Sequence, residues 1–321
     1  MRGALPVLVS AALFFLRPAS AADEPAAWLL QASDAARTAS YEGVVVYRDD
    51  SDQLGTLHVL HRFRNAREQE RLSALDGPPR DVFRENGRVV GMVGEPPARQ
   101  LHAALPGALL PRLDETAVRQ LAQHYDITEL GAGRVAGRPT RGIEIVPRDG
   151  YRYGFQIWAD AATGVPLKVS LLGARGRLVQ QLIFTQIAFP PRIADAEFVL
   201  PAAAAAAAEP DSLAPDVAPG AGWKLGPVPA GFEVVLRTVK PVRDGDPVEH
   251  VQLSDGLSAV SIFSARAQDE ARAFNGYASL GAMNAYARRV GGYQVTVVGE
   301  VPRSTVRMIG DGVQPQDAAA P

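Results

Sequence analysis

The 321-residue sequence contains no cysteine, which excludes disulfides, thiolate metal sites and a cysteine nucleophile together. Its fold must hold by packing alone. It has no apolar run of membrane-spanning length either: the stretch from Ala4 to Leu16 has about 13 residues, interrupted by Pro6 and Ser10, against the roughly 20 that cross a bilayer. A surplus of one charge is also missing. With 33 basic and 35 acidic side chains and a net charge of -2, nothing electrostatic recruits nucleic acid.

Motifs of chemistry are missing as well. No phosphate loop, dinucleotide fingerprint, metalloprotease or EF-hand spacing occurs, and no serine sits in a Gly-x-Ser-x-Gly elbow. The glycines Gly91, Gly94, Gly131 and Gly133 read as turn or strand residues, not as a cradle between strand and helix. His58 and His61 are three apart on an expected strand and so face opposite ways, which argues against a shared metal. Glu68 and Glu70 share a face by the same rule, and beside Arg67 and Arg71 they read as a solvated strand face. No catalytic residue, cofactor or metal is expected.

What is present begins with Arg2, the apolar stretch, then Pro18 and Ala19-Ser20-Ala21, the pattern of a signal peptide over residues 1–21 cleaved before Ala22. No cysteine follows it to carry a lipid. Composition changes again at Pro201: seven alanines, Ala202 to Ala208, lead into a segment with Pro210, Pro215 and Pro219, which reads as a tether over 201–222. The tether divides the mature chain into residues 22–200 and a unit of about 90 residues over 223–314, an ordinary size for independent folding, with a tail over 315–321.

In the first unit, Trp28, Leu29, Ala32, Ala35 and Ala36 repeat at helical spacing. From Tyr41 the period becomes two. Strands are expected over Tyr41–Arg48, Leu54–Arg62, Arg67–Leu75, Val82–Arg84, Arg88–Val93 and Arg99–Ala103, with Asn86-Gly87 as the strongest hairpin signal. A second helix begins after Asp114 as N-cap, with Val118, Leu121 and Tyr125 on one face. Strands resume over Arg141–Val146, Arg152–Ala159, Val165–Leu172 and Leu178–Ala188. Consecutive strands with two helices describe an antiparallel sheet, curled or closed, covered on one side. Such a sheet can enclose an apolar cavity.

In the second unit, strands are expected over Phe232–Lys240, Val248–Leu253, Leu257–Ala265 and Tyr293–Gly299. Between the last two, Ser279, Leu280, Met283, Tyr286 and Val290 predict a helix closed by Gly291-Gly292. Pro302 opens a final short helix through Val306 and Ile309. This unit is α+β. Two constellations bear on binding: the late-strand apolar residues from Tyr151 to Phe184, which serve equally as plain core, and an arginine run, Arg62, Arg64, Arg67, Arg71, Arg80, Arg84 and Arg88. As a stripe that run could meet an acidic partner or a phosphorylated glycolipid, but the interleaved Glu68, Glu70, Asp76, Asp81 and Glu85 favour a mixed, self-paired face.

Several segments carry a resemblance. Tyr41 to Tyr47, Glu70-Arg71-Leu72, Leu75-Asp76-Gly77, Arg80-Asp81-Val82, Arg134 to Arg138, Arg152 to Phe155, Trp158-Ala-Asp160 and Phe184-Thr185 resemble, in order, the RseB/MucB family. Pro229 to Phe232, Leu253 to Leu257, Val260 to Phe263 and Val295 to Pro302 continue it. The resemblance implies a LolA/LolB-like half-open antiparallel barrel with covering helices, plus a smaller α+β C-terminal domain. It implies a periplasmic regulator of sigma-E signalling that binds the periplasmic region of a membrane anti-sigma factor of the RseA or MucA type and hinders its site-1 proteolysis, with lipid or lipopolysaccharide releasing that hold. The alternative is a lipid or lipoprotein carrier without a regulatory partner. Self-association stays open. On this reading Val44, Val46, Phe155, Trp158, Leu182 and Phe184 are candidates for a lipid cavity. Phe263 on the strand Leu257–Ala265, with Met283, Tyr286 and Arg288 on the expected helix, are candidates for partner contact.

Overall fold

The computed structural model describes residues 23–49, 54–94, 109–189, 193–201, 223–240, 246–267 and 275–315. The expected leader, the strand over Arg99–Ala103 and nearly all of the tether lie outside them. The first part of the chain forms α1 (Asp23–Thr38), β1 (Tyr41–Arg48), β2 (Leu54–Arg64), β3 (Arg67–Ala74), β4 (Asp81–Glu85), β5 (Arg88–Val93) and α2 (Glu115–His124). It continues through β6 (Tyr125–Val135), β7 (Arg138–Pro147), β8 (Gly154–Asp160), β9 (Pro166–Leu172) and β10 (Leu178–Ala188). All ten strands make one antiparallel sheet, in the order β5-β4-β3-β2-β1-β10-β9-β8-β7-β6.

That order is two meanders joined at the centre. Short turns pair sequence neighbours on each side, and only β1 with β10 joins distant segments, with Val45 opposite Phe184 across a bulge. The sheet is open, with β5 and β6 as its edges. It is also curled, because β6 touches β10 although three strands separate them in the sheet. The fold is the expected α+β architecture with a half-open antiparallel sheet, not a closed barrel.

Local signals set the turns. Asn86 and Gly87 both have positive φ, 49° and 77°, the two left-handed residues a tight β4–β5 hairpin requires. Asp114 caps α2, its Oδ1 accepting the Ala117 N–H at 2.7 Å. Burying Val118 and Leu121 then fixes the face of α2 that meets the sheet. Together α1 and α2 cover the inner face of the β6–β9 half: Trp28, Leu29, Leu113, Val118 and Leu121 form one cluster with Ile143, Ile145 and Ile157. A second cluster joins Tyr41, Val45, Leu57, Val82 and Phe184.

The second part of the chain forms β11 (Trp223–Lys224), β12 (Glu233–Lys240), β13 (Val248–Ser254), β14 (Ala259–Arg266), β15 (Gly276–Leu280), β16 (Met283–Val290), β17 (Tyr293–Gly299), α3 (Arg303–Gly312) and β18 (Gln314–Pro315). Six strands pair in the order β12-β13-β14-β17-β16-β15, while β11 and β18 form a separate ribbon. One face of the six-stranded sheet packs Val251, Leu253, Ile262, Val295 and Val297 against Val306 and Ile309 of α3. The opposite face has no helix of its own among the described residues.

The expected helix from Ser279 to Val290 is corrected: these residues form the β15–β16 hairpin and its return to β17. Leu280 pairs with Met283 across a two-residue Gly281-Ala282 turn, and Val290 with Tyr293 across Gly291-Gly292. Gly281, Gly291 and Gly292 all have positive φ, which glycine adopts without the Cβ clash that other residues meet. A three-to-four spacing of Leu280, Met283, Tyr286 and Val290 coincided with a strand whose buried side includes Asn284 and Val290. Strand β6 was not expected at all. It is an edge strand in which only Tyr125 and Val135, at its two ends, are buried, with Gly131 and Gly133 in place of apolar alternation.

Candidate functional site

Between the inner face of the large sheet and the helix-free face of the small one lies a cleft of about 1090 Å3, slightly above the range of about 300–1,000 Å3 usual for small-molecule sites. Period two explains its walls. On the small sheet Val260, Ile262 and Ser264 are buried toward α3, so Ser261 and Phe263 turn outward to line the cleft, joined by Gln252, Met283 and Val298. The large sheet contributes Phe63, Phe155, Val169, Leu171, Gln180 and Leu182.

Charged side chains also line the cleft. Arg37 and Arg112 approach from the large-sheet side and Glu300 from the small-sheet side. Arg37 is paired with Glu68 at 3.7 Å. Glu300 has no hydrogen bond or ion pair among the described residues, and burial pushes its carboxyl above the usual glutamate range.

A buried polar joint holds the two walls together. The Arg152 guanidinium, in the loop before β8, donates Nε–H to Asp255 Oδ2 at 2.7 Å and further bonds to Asp149 and the Ala230 carbonyl. Tyr125 donates its hydroxyl to the same Asp255 oxygen at 2.8 Å. Asp255 Oδ1 accepts the Leu257 and Ser258 N–H groups at 3.0 and 2.7 Å, so its negative charge is fully engaged. Burial first, then the neighbouring Asp255 charge, raises the Tyr125 hydroxyl well above its ordinary range. Asn284 adds a bond from Nδ2 to the Tyr153 hydroxyl at 3.0 Å, and Thr305 donates to the Tyr151 carbonyl at 2.6 Å. Sequence reading missed this joint: it marked both segments only for their resemblance, and nothing local pairs Arg152 with Asp255, 103 positions apart.

The candidate residues divide. Phe155 and Leu182, from the lipid-cavity set, and Phe263 and Met283, from the partner set, meet in the one cleft. Phe184 is sealed in the core at 2% exposure. Val44 and Val46 alternate with buried Val45 and so lie on the other face of β1. Trp158 also faces away from the cleft: its ring covers Gly133 and Gly142, where any side chain would collide with it. Tyr286 and Arg288 point toward α3, with the Tyr286 hydroxyl donating to Asp311 at 2.9 Å and Arg288 to the Val313 carbonyl at 2.7 Å.

Of the polar candidates, His58 meets Glu42 at 3.0 Å while His61 is buried between the Ala39 carbonyl and Glu68. The two face opposite ways. The arginine run is largely self-paired: Arg67 with Glu85, Arg71 with Asp81 and Glu197, and Arg62 and Arg64 with Asp195. Glu70 departs from the solvated face expected for it, being buried in a 2.8 Å pair with Arg84.

Among the described residues no group of three or more His, Asp or Glu is placed to hold a metal, and no helix is long and apolar enough to cross a membrane. A curled, half-open antiparallel sheet facing a second sheet across an apolar cleft defines a two-sheet binding fold. The chain belongs to the MucB/RseB family: the MucB/RseB N-terminal domain matches residues 24–202 and the MucB/RseB C-terminal domain residues 217–314. It is 33% identical over 312 residues to the sigma factor AlgU regulatory protein MucB of Pseudomonas aeruginosa, covering 94% of each chain. It is 30% identical over 315 residues to the sigma-E factor regulatory protein RseB of Salmonella typhimurium, covering 96% of each. The crystal structure of MucB in complex with MucA(peri) superposes with a TM-score of 0.72 at 29% identity, covering 92% of this chain and 100% of that one. A crystal structure of MucB gives 0.68 at 29% identity, covering 91% and 98%.

Proposed function

We propose that this protein is a non-catalytic periplasmic regulator that binds the periplasmic region of a membrane anti-sigma factor of the RseA or MucA type and shields it from site-1 proteolysis. The observation that carries the reading is the likeness, over both sheets, to MucB captured in complex with MucA(peri). In this reading residues 1–21 direct export and are removed. Residues 22–200 and 223–314 act as two domains joined by the tether, and the cleft between them is the recognition surface.

Shielding needs no chemistry. A bound segment is withheld from a protease in proportion to the fraction bound, so affinity alone sets protection. Lipid or lipopolysaccharide releases the partner if it binds better to the arrangement of the sheets that does not hold the anti-sigma segment, because differential affinity is all that such coupling requires. The apolar lining by Phe155, Leu182, Phe263 and Met283 supports the cleft as the surface that holds the segment.

Isothermal titration of residues 22–321 with the periplasmic segment of the anti-sigma factor from the same organism tests the reading. Saturable binding near one to one, with slower site-1 cleavage of the bound segment, is expected. Absence of binding by folded protein would turn the assignment toward a lipid or lipoprotein carrier.

A further inference from the structure

Glu300 stands apart from the other carboxylates around the cleft. Glu68 is engaged by Arg37 and His61 and Asp255 by Arg152 and Tyr125, whereas Glu300 has neither hydrogen bond nor ion pair among the described residues. A partly desolvated carboxylate without a counter-charge is costly to the protein that holds it. Its burial raises the carboxyl with no opposing partner. Such a group is improved by any ligand that brings a cation or a strong donor to it.

We propose that Glu300 is a specificity determinant of the cleft, and that the occupant is a polypeptide segment whose apolar side chains lie along the cleft and whose lysine or arginine meets the Glu300 carboxylate. This rests on the function proposed above and adds the chemistry of what is recognised. Three features favour a peptide over an acyl chain. The cleft is larger than most small-molecule sites. Its walls place carboxamides, Gln180 and Gln252, among the apolar side chains, and these offer the paired donors and acceptors that a peptide backbone uses and a hydrocarbon chain leaves unmet. An anionic lipid headgroup could pair with Arg112 on the opposite wall but would leave the Glu300 carboxylate uncompensated.

The test uses the whole mature chain, wild type and Glu300→Gln, titrated with the purified periplasmic segment of the anti-sigma factor and, separately, with vesicles of an anionic phospholipid. Because Glu300 makes no bond in the free protein, Glu300→Gln should melt at or above the wild-type temperature. It should bind the segment at least tenfold more weakly, with a shallower dependence on salt. A basic-to-acidic substitution at one position of the segment should weaken wild-type binding and be rescued by Glu300→Lys. Segment binding within twofold of wild type in Glu300→Gln overturns the proposal while leaving the regulatory reading in place. So does tighter vesicle binding by Glu300→Gln with segment binding unchanged, which would assign the cleft to lipid. No segment binding by the wild-type chain overturns the regulatory reading and this proposal with it.

Discussion

Arg152 and Asp255 are the least replaceable side chains of the joint, exposed by 0% and 1%. Removing one partner of a buried pair leaves the other charge desolvated and uncompensated, at about 3–5 kcal/mol. Asp255→Ala should therefore lose stability of that order in urea unfolding, and also lose the acceptor for the Leu257 and Ser258 N–H groups. Tyr125→Phe should cost about 1.5–3 kcal/mol, the worth of a hydrogen bond to a charged group. Asp160 gives a pH signature. Burial alone would push its carboxyl up, but the Arg138 guanidinium and the Thr163 N–H and hydroxyl together hold it below the usual range. A carboxyl depressed in the folded state contributes stability that is present above its unfolded value of about 3.9 and is lost as pH falls through the lower folded value. Asp160→Asn should lower stability at neutral pH and flatten that acid-side loss in denaturant titrations between pH 5 and about pH 2. Neither role could be read from sequence. The Asp114 cap was legible because its partner lies three residues away, while Arg152 and Asp255 acquire theirs only when the two sheets meet.

Elements with strong local chemistry were legible nearly to the residue. β1, β5, β10 and β17 match their expected bounds because alternation and turn residues agree there. β6 was not legible because an edge strand buried only at its two ends needs no apolar alternation and is held by its pairing with β7. The β15–β16 hairpin failed for a different reason: apolar residues three and four apart can arise by chance in a strand flanked by glycines. What fixes the strand is the turns, and the Tyr277 and Tyr286 rings 4.8 Å apart across the pair. Gly292→Val tests this, since φ of 82° places a β-branched residue in left-handed backbone at a cost of about 1–2 kcal/mol. A loss of stability of that size in urea unfolding, with a lower melting temperature, is expected. A true helix end at Gly291-Gly292 would instead leave the amides of 283–290 protected against hydrogen exchange in an i to i−4 pattern.

At the scale of the whole molecule, the candidate site was half legible: Phe155, Leu182, Phe263 and Met283 were named from sequence, but as two sites. Only the folded arrangement brings them together, because the cleft's walls belong to different sheets and no local pattern records which strand faces meet between segments so far apart in the chain. If the cleft holds the anti-sigma segment as proposed, affinity depends on the joint as well as on the lining. Asp255→Asn keeps the shape of the side chain but removes the charge facing Arg152, and Asn284→Ala removes the bond to Tyr153. Neither changes a residue of the lining. If the joint sets the distance between the walls, each should weaken binding of the anti-sigma segment about tenfold, an energy of about 1.4 kcal/mol, mainly through faster dissociation. Glu85→Gln breaks the exposed Arg67 pair, a contact worth about 0–1 kcal/mol and outside the joint, and should leave affinity unchanged. Surface-plasmon kinetics on the three variants separate the cases. Equal dissociation rates for Asp255→Asn, Asn284→Ala and wild type would mean that the segment is held by one sheet alone, with the second sheet a cover and not a wall.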